Sequence, residues 1–167
     1  MGKELLIMRH AKSSWGNETL SDHDRPLNKR GLRDAPRMAQ LLVEWELVPE
    51  IMLCSTAKRA RMTAQLLVEI FGNATVQLDT FDQLYLAQPE AYLELLQQLP
   101  DSCGRVMVIG HNPGLEELVA ELTGEDEFMA TAAIAHVDLG QDTWAPLPKP
   151  GSCKLIAVHR PKEVLTD

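Results

Sequence analysis

Three short apolar runs, Leu5–Met8, Ile51–Cys54 and Val106–Ile109, each break into a polar turn and then into a segment whose apolar residues recur at helical spacing. Runs of this length bounded by polar residues suit strands buried on both faces. A strand of that kind followed by an amphipathic helix is the signature of parallel strands joined by crossovers. The repeated pattern predicts an α/β chain: a three-layer α/β/α sandwich with a mostly parallel central sheet. No repeat, low-complexity tract or linker interrupts it, so a single domain spanning residues 1–167 is expected.

The remaining elements follow from local chemistry. Leu32, Ala35, Met38, Leu41, Leu42 and Trp45 predict a helix in which Pro36 either falls in the first turn or makes a kink. Ser55 and Thr56 are candidate caps for a helix from Ala57 to Phe71, ended by Gly72. Thr75–Leu78 reads as a third strand, Pro89 opens a helix carrying Tyr92, Leu93, Leu96 and Leu99, and Leu115–Leu122 reads as another. Thr131–Leu139 and Lys154–His159 read as two last strands, joined as a hairpin by a segment rich in Gly and Pro.

A net charge of −8 argues against nucleic acid and anionic membrane as partners, since both select concentrated positive charge. Cys54, Cys103 and Cys153 are too few and too widely spaced for a disulfide framework, and no His-x-x-x-His or Cys-x-x-Cys spacing suggests a metal. No metal is expected. Nothing resembles a spanning segment or a secretory leader, so the expected location is cytoplasmic, with the oligomeric state open.

The basic residues cluster at particular junctions. Arg9-His10, the turn from Ser55 to Arg59, and Gly110-His111-Asn112 each follow a predicted strand, and in an open parallel sheet such junctions lie on one edge. Two arginines and two histidines then converge. Guanidinium forks match phosphate oxygens, and a helix amino end near Arg59 adds its dipole, so the spot suits a phosphoryl group. Ser13 and Ser14 have two readings, phosphate contact or loop capping. Asn112 braces either His111 or its loop.

Leu6-Ile7-Met8-Arg9-His10-Ala11-Lys12-Ser13-Ser14-Trp15, Asp22-His23-Asp24-Arg25-Pro26-Leu27, Ser55-Thr56-Ala57-Lys58-Arg59-Ala60 and Gly110-His111-Asn112-Pro113-Gly114 closely resemble the histidine phosphatase superfamily. Within it the resemblance is to the short phosphohistidine phosphatases of the SixA type. It implies a fold like phosphoglycerate mutase and a two-step phosphoryl transfer that needs no metal and no organic cofactor. His10 would be the nucleophile that becomes phosphorylated, with Arg9, Arg59 and His111 binding and stabilising the phosphoryl oxygens. Arg25, in the Asp-x-Arg-Pro-Leu segment, is either an outer phosphate contact or a loop arginine paired with Asp22 or Asp24.

Larger members place a glutamate proton donor after the third strand, where this chain has Thr80-Phe81-Asp82-Gln83-Leu84 and hence an amide. Asp82 or Asp79 could substitute; alternatively no acid is needed. A leaving imidazole has a reference pKa of about 6.5, whereas an alkoxide is far more basic and needs protonation as it departs. The sequence thus favours a phosphorylated protein as substrate over a small phosphate ester. A small-molecule phosphomonoesterase and a non-catalytic phosphate-binding module are the competing readings.

Overall fold

The computed structural model describes residues 2–72 and 76–166. The elements in order are β1 Glu4–Arg9, α1 Lys29–Glu44, β2 Ile51–Ser55, α2 Lys58–Phe71, β3 Gln77–Phe81, α3 Pro89–Leu96, β4 Arg105–Gly110, α4 Gly114–Thr123, β5 Ile134–Asp138, β6 Lys154–His159 and α5 Pro161–Val164. They form a six-stranded sheet of order β3-β2-β4-β1-β5-β6. The first four strands in that order pair in parallel, β5 runs antiparallel to β1, and β6 antiparallel to β5.

Alternation along the buried strands sends neighbouring side chains to opposite faces, which builds two cores from one sheet. Leu6, Met8, Met52, Met107 and Ile109 face α1 and α2, where Ala35, Met38, Leu42, Ala64 and Leu67 are buried against them. Leu5, Ile7, Leu53, Val106 and Val108 face α3 and α4 through Tyr92, Leu96, Leu115, Leu118 and Leu122. The result is the expected α/β/α layering around a mostly parallel sheet.

Several local expectations need correction. In α1 the inward stripe is Gly31, Asp34, Ala35, Met38, Ala39 and Leu42, whereas Leu32 and Trp45 are 45% and 39% exposed. Pro36 sits inside α1, beyond its first turn, and the helix runs on to Glu44. The residue ahead of α2 is Ala57, without a side-chain cap; Ser55 instead accepts from the Ala57 N–H at 3.1 Å and the Thr56 hydroxyl donates to Asp82. The third strand lies further along the chain than predicted, and Thr75 lies outside the described residues. As an edge strand β3 needs no continuous apolar run, which is why the apolar signal there misplaced it. β5 and β6 are antiparallel neighbours, but the long connection between them buries Trp144, whose indole N–H donates to Cys103 O at 2.8 Å.

The loop after β1 is seated on the start of α1. Asn28 caps the helix by accepting from Gly31 N, and its own N–H donates to Lys12 O at 2.9 Å. A Cβ at Gly31 would lie 2.2 Å from that carbonyl, so only glycine permits this approach.

Candidate active site

The carboxyl ends of β1, β2 and β4 are adjacent in register, Arg9 opposite Gly110 and Cys54 opposite Ile109. Arg9, His10, the approach to Arg59, and His111 therefore leave the sheet side by side. They line a cavity of about 240 Å³ together with Lys12, Ser13, Trp15, Asp22, Arg25, Leu86, Asn112 and Thr131. His10, Arg59 and His111 are 5%, 3% and 2% exposed.

Two hydrogen bonds fix the state of the first imidazole. His10 Nδ1 lies 2.7 Å from its neighbour's carbonyl, Ala11 O, so Nδ1 carries the proton and Nε2 keeps its lone pair. The Arg59 Nε–H donates to that Nε2 at 3.3 Å. A backbone carbonyl was the expected orienting partner, and Ala11 supplies it. The two imidazole centroids stand 5.2 Å apart.

Arg59 is the hub of the site. Nη1 donates to Asp22 O at 2.7 Å, Nη2 to Asp22 Oδ2 at 3.0 Å, and Nη2 lies 3.4 Å from His111 Nδ1. His111 is held from behind, its Nε2 2.8 Å from Ser55 Oγ. Arg9 donates through Nη1 to Met129 O at 3.2 Å, while its Nε is buried with no partner among the described residues. An unsatisfied guanidinium N–H beside the cavity is a donor without an acceptor, as an anion site requires.

The outer residues divide. Arg25 lines the cavity and is also paired with Asp22: Nε donates to Asp22 Oδ1 at 3.1 Å and Nη1 to Ser13 Oγ at 2.8 Å, with Trp15 stacked 3.6 Å away. Ser13 reaches the cavity. Ser14 does not; its hydroxyl accepts from Gly16 N and its carbonyl from Arg25, which is loop capping. Asn112 lines the cavity but braces its loop, donating to Met129 O and Glu116 rather than to His111. Leu86 borders the mouth, and Tyr85 packs edge-on against His111 with its hydroxyl donating to Asp22.

Sequence reasoning missed three supports. Asp22, a candidate partner of Arg25 in the sequence, is one, and it also faces Arg59, a second contact that was not anticipated. Ser55 orients His111 instead of capping α2. Thr63, buried in α2, donates to Arg59 O at 2.7 Å and accepts from Ala11 N at 3.0 Å, tying the two junctions together. Neither Asp79, Asp82 nor Gln83 lines the cavity, and Asp82 is occupied by Thr56. Among the described residues lining it, Asp22 is the one carboxylate. Burial alone would raise its pKa, but the Tyr85 hydroxyl and the Arg59 and Arg25 guanidiniums outweigh that and hold it at about 2.

Burial, with the neighbouring positive groups, pushes both His10 and His111 down to about 3. Both rings are neutral at neutral pH, which leaves His10 Nε2 nucleophilic. Because the unfolded chain protonates its histidines near 6.5 while these two resist, stability falls as pH drops from about 6.5 towards 3. Urea unfolding at pH 7 and pH 5 should show a loss on the order of 4 kcal/mol, about 2 from each ring. His10→Gln/His111→Gln should flatten that slope, and an unchanged slope would refute the assignment.

The sequence profile of the histidine phosphatase superfamily (branch 1) matches residues 5–106. An uncharacterized chloroplastic protein of Arabidopsis thaliana is 33% identical over 96% of this chain and 79% of its own length. Among solved structures, the Agrobacterium tumefaciens protein assigned to phosphohistidine phosphatase SixA is 28% identical, with a TM-score of 0.82 over 96% of this chain and 99% of that one. The protein histidine phosphatase SixA complexed with tungstate is 26% identical, with a TM-score of 0.80 over 96% and 98% of the two chains.

Proposed function

Because this chain belongs to the histidine phosphatase superfamily and is a phosphatase of SixA-like structure, we propose that it removes phosphoryl groups from phosphohistidine in a protein substrate, by way of a phosphohistidine formed on His10. His10 Nε2 attacks phosphorus as the substrate N–P bond breaks. A leaving imidazole that already carries a proton on its other nitrogen departs as the neutral ring. Phosphorylated His10, with Nδ1–H held by Ala11 O, has the same arrangement, so water attack returns neutral His10 and releases inorganic phosphate.

Phosphoryl transfer depends mainly on positioning and on charge stabilisation around the equatorial oxygens. The Arg9 guanidinium and the Arg59 fork are the donors for those oxygens; His111 Nδ1, which accepts from Arg59 Nη2 in the free site, joins them in the tautomer whose Nε2 accepts from the Ser55 hydroxyl. Arg59 exchanges its contact with His10 Nε2 for one with the phosphoryl group, freeing the lone pair. A related SixA structure is a complex with tungstate, a tetrahedral oxyanion like phosphate, in keeping with oxyanion binding by this fold.

The observation that carries the choice of substrate is the state of Asp22. A carboxylate held at about 2 by its neighbours is a poor proton donor at neutral pH, and no other acid borders the cavity among the described residues. An alkyl ester would have to expel a basic alkoxide unaided; a phosphohistidine would not. Side-by-side turnover of a phosphohistidine peptide, phosphoserine, phosphotyrosine and a sugar phosphate tests this. The phosphohistidine peptide should lead in kcat/KM by about 100-fold or more, and faster alkyl phosphate cleavage would overturn the reading in favour of a small-ester phosphatase.

The proposed setting is cytoplasmic signal transduction. A reducing compartment suits the free thiols of Cys54, Cys103 and Cys153, all of them buried. No described helix is long and apolar enough to cross a membrane.

A further inference from the structure

The surface beyond Arg9 departs sharply from the acidity of the chain as a whole. A groove of about 430 Å³ shares Arg9, Lys12 and Thr131 with the active-site cavity and continues past Arg30 to Lys162. A second space of about 430 Å³ shares Arg30, Pro161 and Lys162 with it and extends to Arg33 and Arg37 on α1. Each space adjoins the next through these shared residues, so the three line up as a track beside α1 and α5.

Its charges are not cancelled locally. Asp34, buried in α1, is shared by Arg30 at 3.6 Å and Arg33 at 3.0 Å, one carboxylate for two guanidiniums. Arg160 is outnumbered by Glu127 and Glu163, so that corner subtracts one charge, fewer than the four remaining cations supply. Lys12, Arg30, Arg33 and Lys162 therefore leave the track positive on a protein of net charge −8. Its near wall is apolar: Ala130 lies beside Phe128, which is 64% exposed.

We infer that this track is a docking groove for an acidic segment of the phosphoprotein substrate, with carboxylates on Arg30, Arg33 and Lys162 and an apolar side chain against Phe128. The lining residues that the groove shares with the cavity, Arg9, Lys12 and Thr131, place the segment beside the phosphorylated residue. Concentrated opposite charge steers encounter and fixes register. The inference rests on the substrate being a phosphoprotein.

Two measurements on the full-length protein separate the groove from that reading. Fluorescence anisotropy with a labelled, unphosphorylated Glu/Leu peptide should show binding that weakens with salt and falls about tenfold in Arg33→Ala/Lys162→Ala, while a Gln/Leu peptide binds neither form. A phosphohistidine peptide with acidic flanks should show KM raised about tenfold in the same variant with kcat kept, and phosphoramidate turnover, which also reports folding, should stay within about twofold. Equal binding of the two peptides, or acidic-peptide binding unaffected by the variant, overturns the groove. Loss of phosphoramidate and acidic-peptide turnover in equal proportion does so too. Failure of the wild type on every phosphohistidine substrate would sink the proposed function instead, and the binding measurement would still decide the groove.

Discussion

His10→Ala is expected to lower turnover by about 10⁴-fold or more and to abolish trapping of labelled phosphate on the protein. The expectation follows from the acceptor inventory of the cavity. Arginine has no lone pair to give, and Asp22 is engaged by Arg25, Arg59 and Tyr85. His111 is turned with Nε2 on Ser55 and Nδ1 towards Arg59. Only His10 Nε2 combines a lone pair that Arg59 can release to a phosphoryl group, a fixed tautomer and a position among the donors.

The measurement is rapid acid-sparing quench after mixing with labelled phosphoramidate, followed by counting of protein-bound phosphate. Wild type should carry a label that is stable to alkali and lost in acid; the variant should carry none. Deleting a buried imidazole also leaves a cavity beside Arg59, so loss of activity alone would not separate chemistry from packing. Free imidazole supplied in solution can fill that space and present the same nitrogen. Partial recovery of turnover without protein labelling is therefore expected for the variant, and persistent labelling of it would place the nucleophile elsewhere.

Much of the layout was legible because β1, β2 and β4 are central strands whose apolar runs leave no alternative to burial on both faces. Once they are parallel neighbours, the convergence of Arg9, His10, Arg59 and His111 is a consequence of topology. The orientation of His10 was also accessible, since a nucleophilic imidazole needs its second nitrogen occupied by an acceptor. Edge strand β3 was misplaced because a half-exposed strand carries a weak apolar signal. The contact of Asp22 with Arg59 and the roles of Ser55 and Thr63 escaped notice for another reason. Each acts through a partner distant in sequence, such as Ser55 on His111 or Thr63 on Ala11, and no local periodicity encodes such a pairing. The basic groove was likewise hidden, because α1 and α5 bring together charges from opposite ends of the chain.

Arg59→Ala is expected to cost about 10³-fold or more in kcat/KM, because one side chain contacts the nucleophile, the second imidazole and Asp22 at once. A purely structural arginine would also reduce activity when deleted, so the titration of its neighbours is the discriminating readout. The Arg59 charge is among the causes that depress both His10 and His111, and it helps hold Asp22 ionised. Removing it should move the two imidazole pKa values upward and raise that of Asp22, as followed by NMR of the ring and carboxyl resonances. Arg59→Lys separates charge from shape: it keeps a cation near both rings, so their titrations should stay depressed, yet it cannot span His10, His111 and Asp22 with one planar fork. Turnover should then remain far below wild type while the imidazole pKa values do not move. Near-wild-type activity in the lysine variant would mean that positive charge alone suffices and that the fork geometry around Arg59 is dispensable.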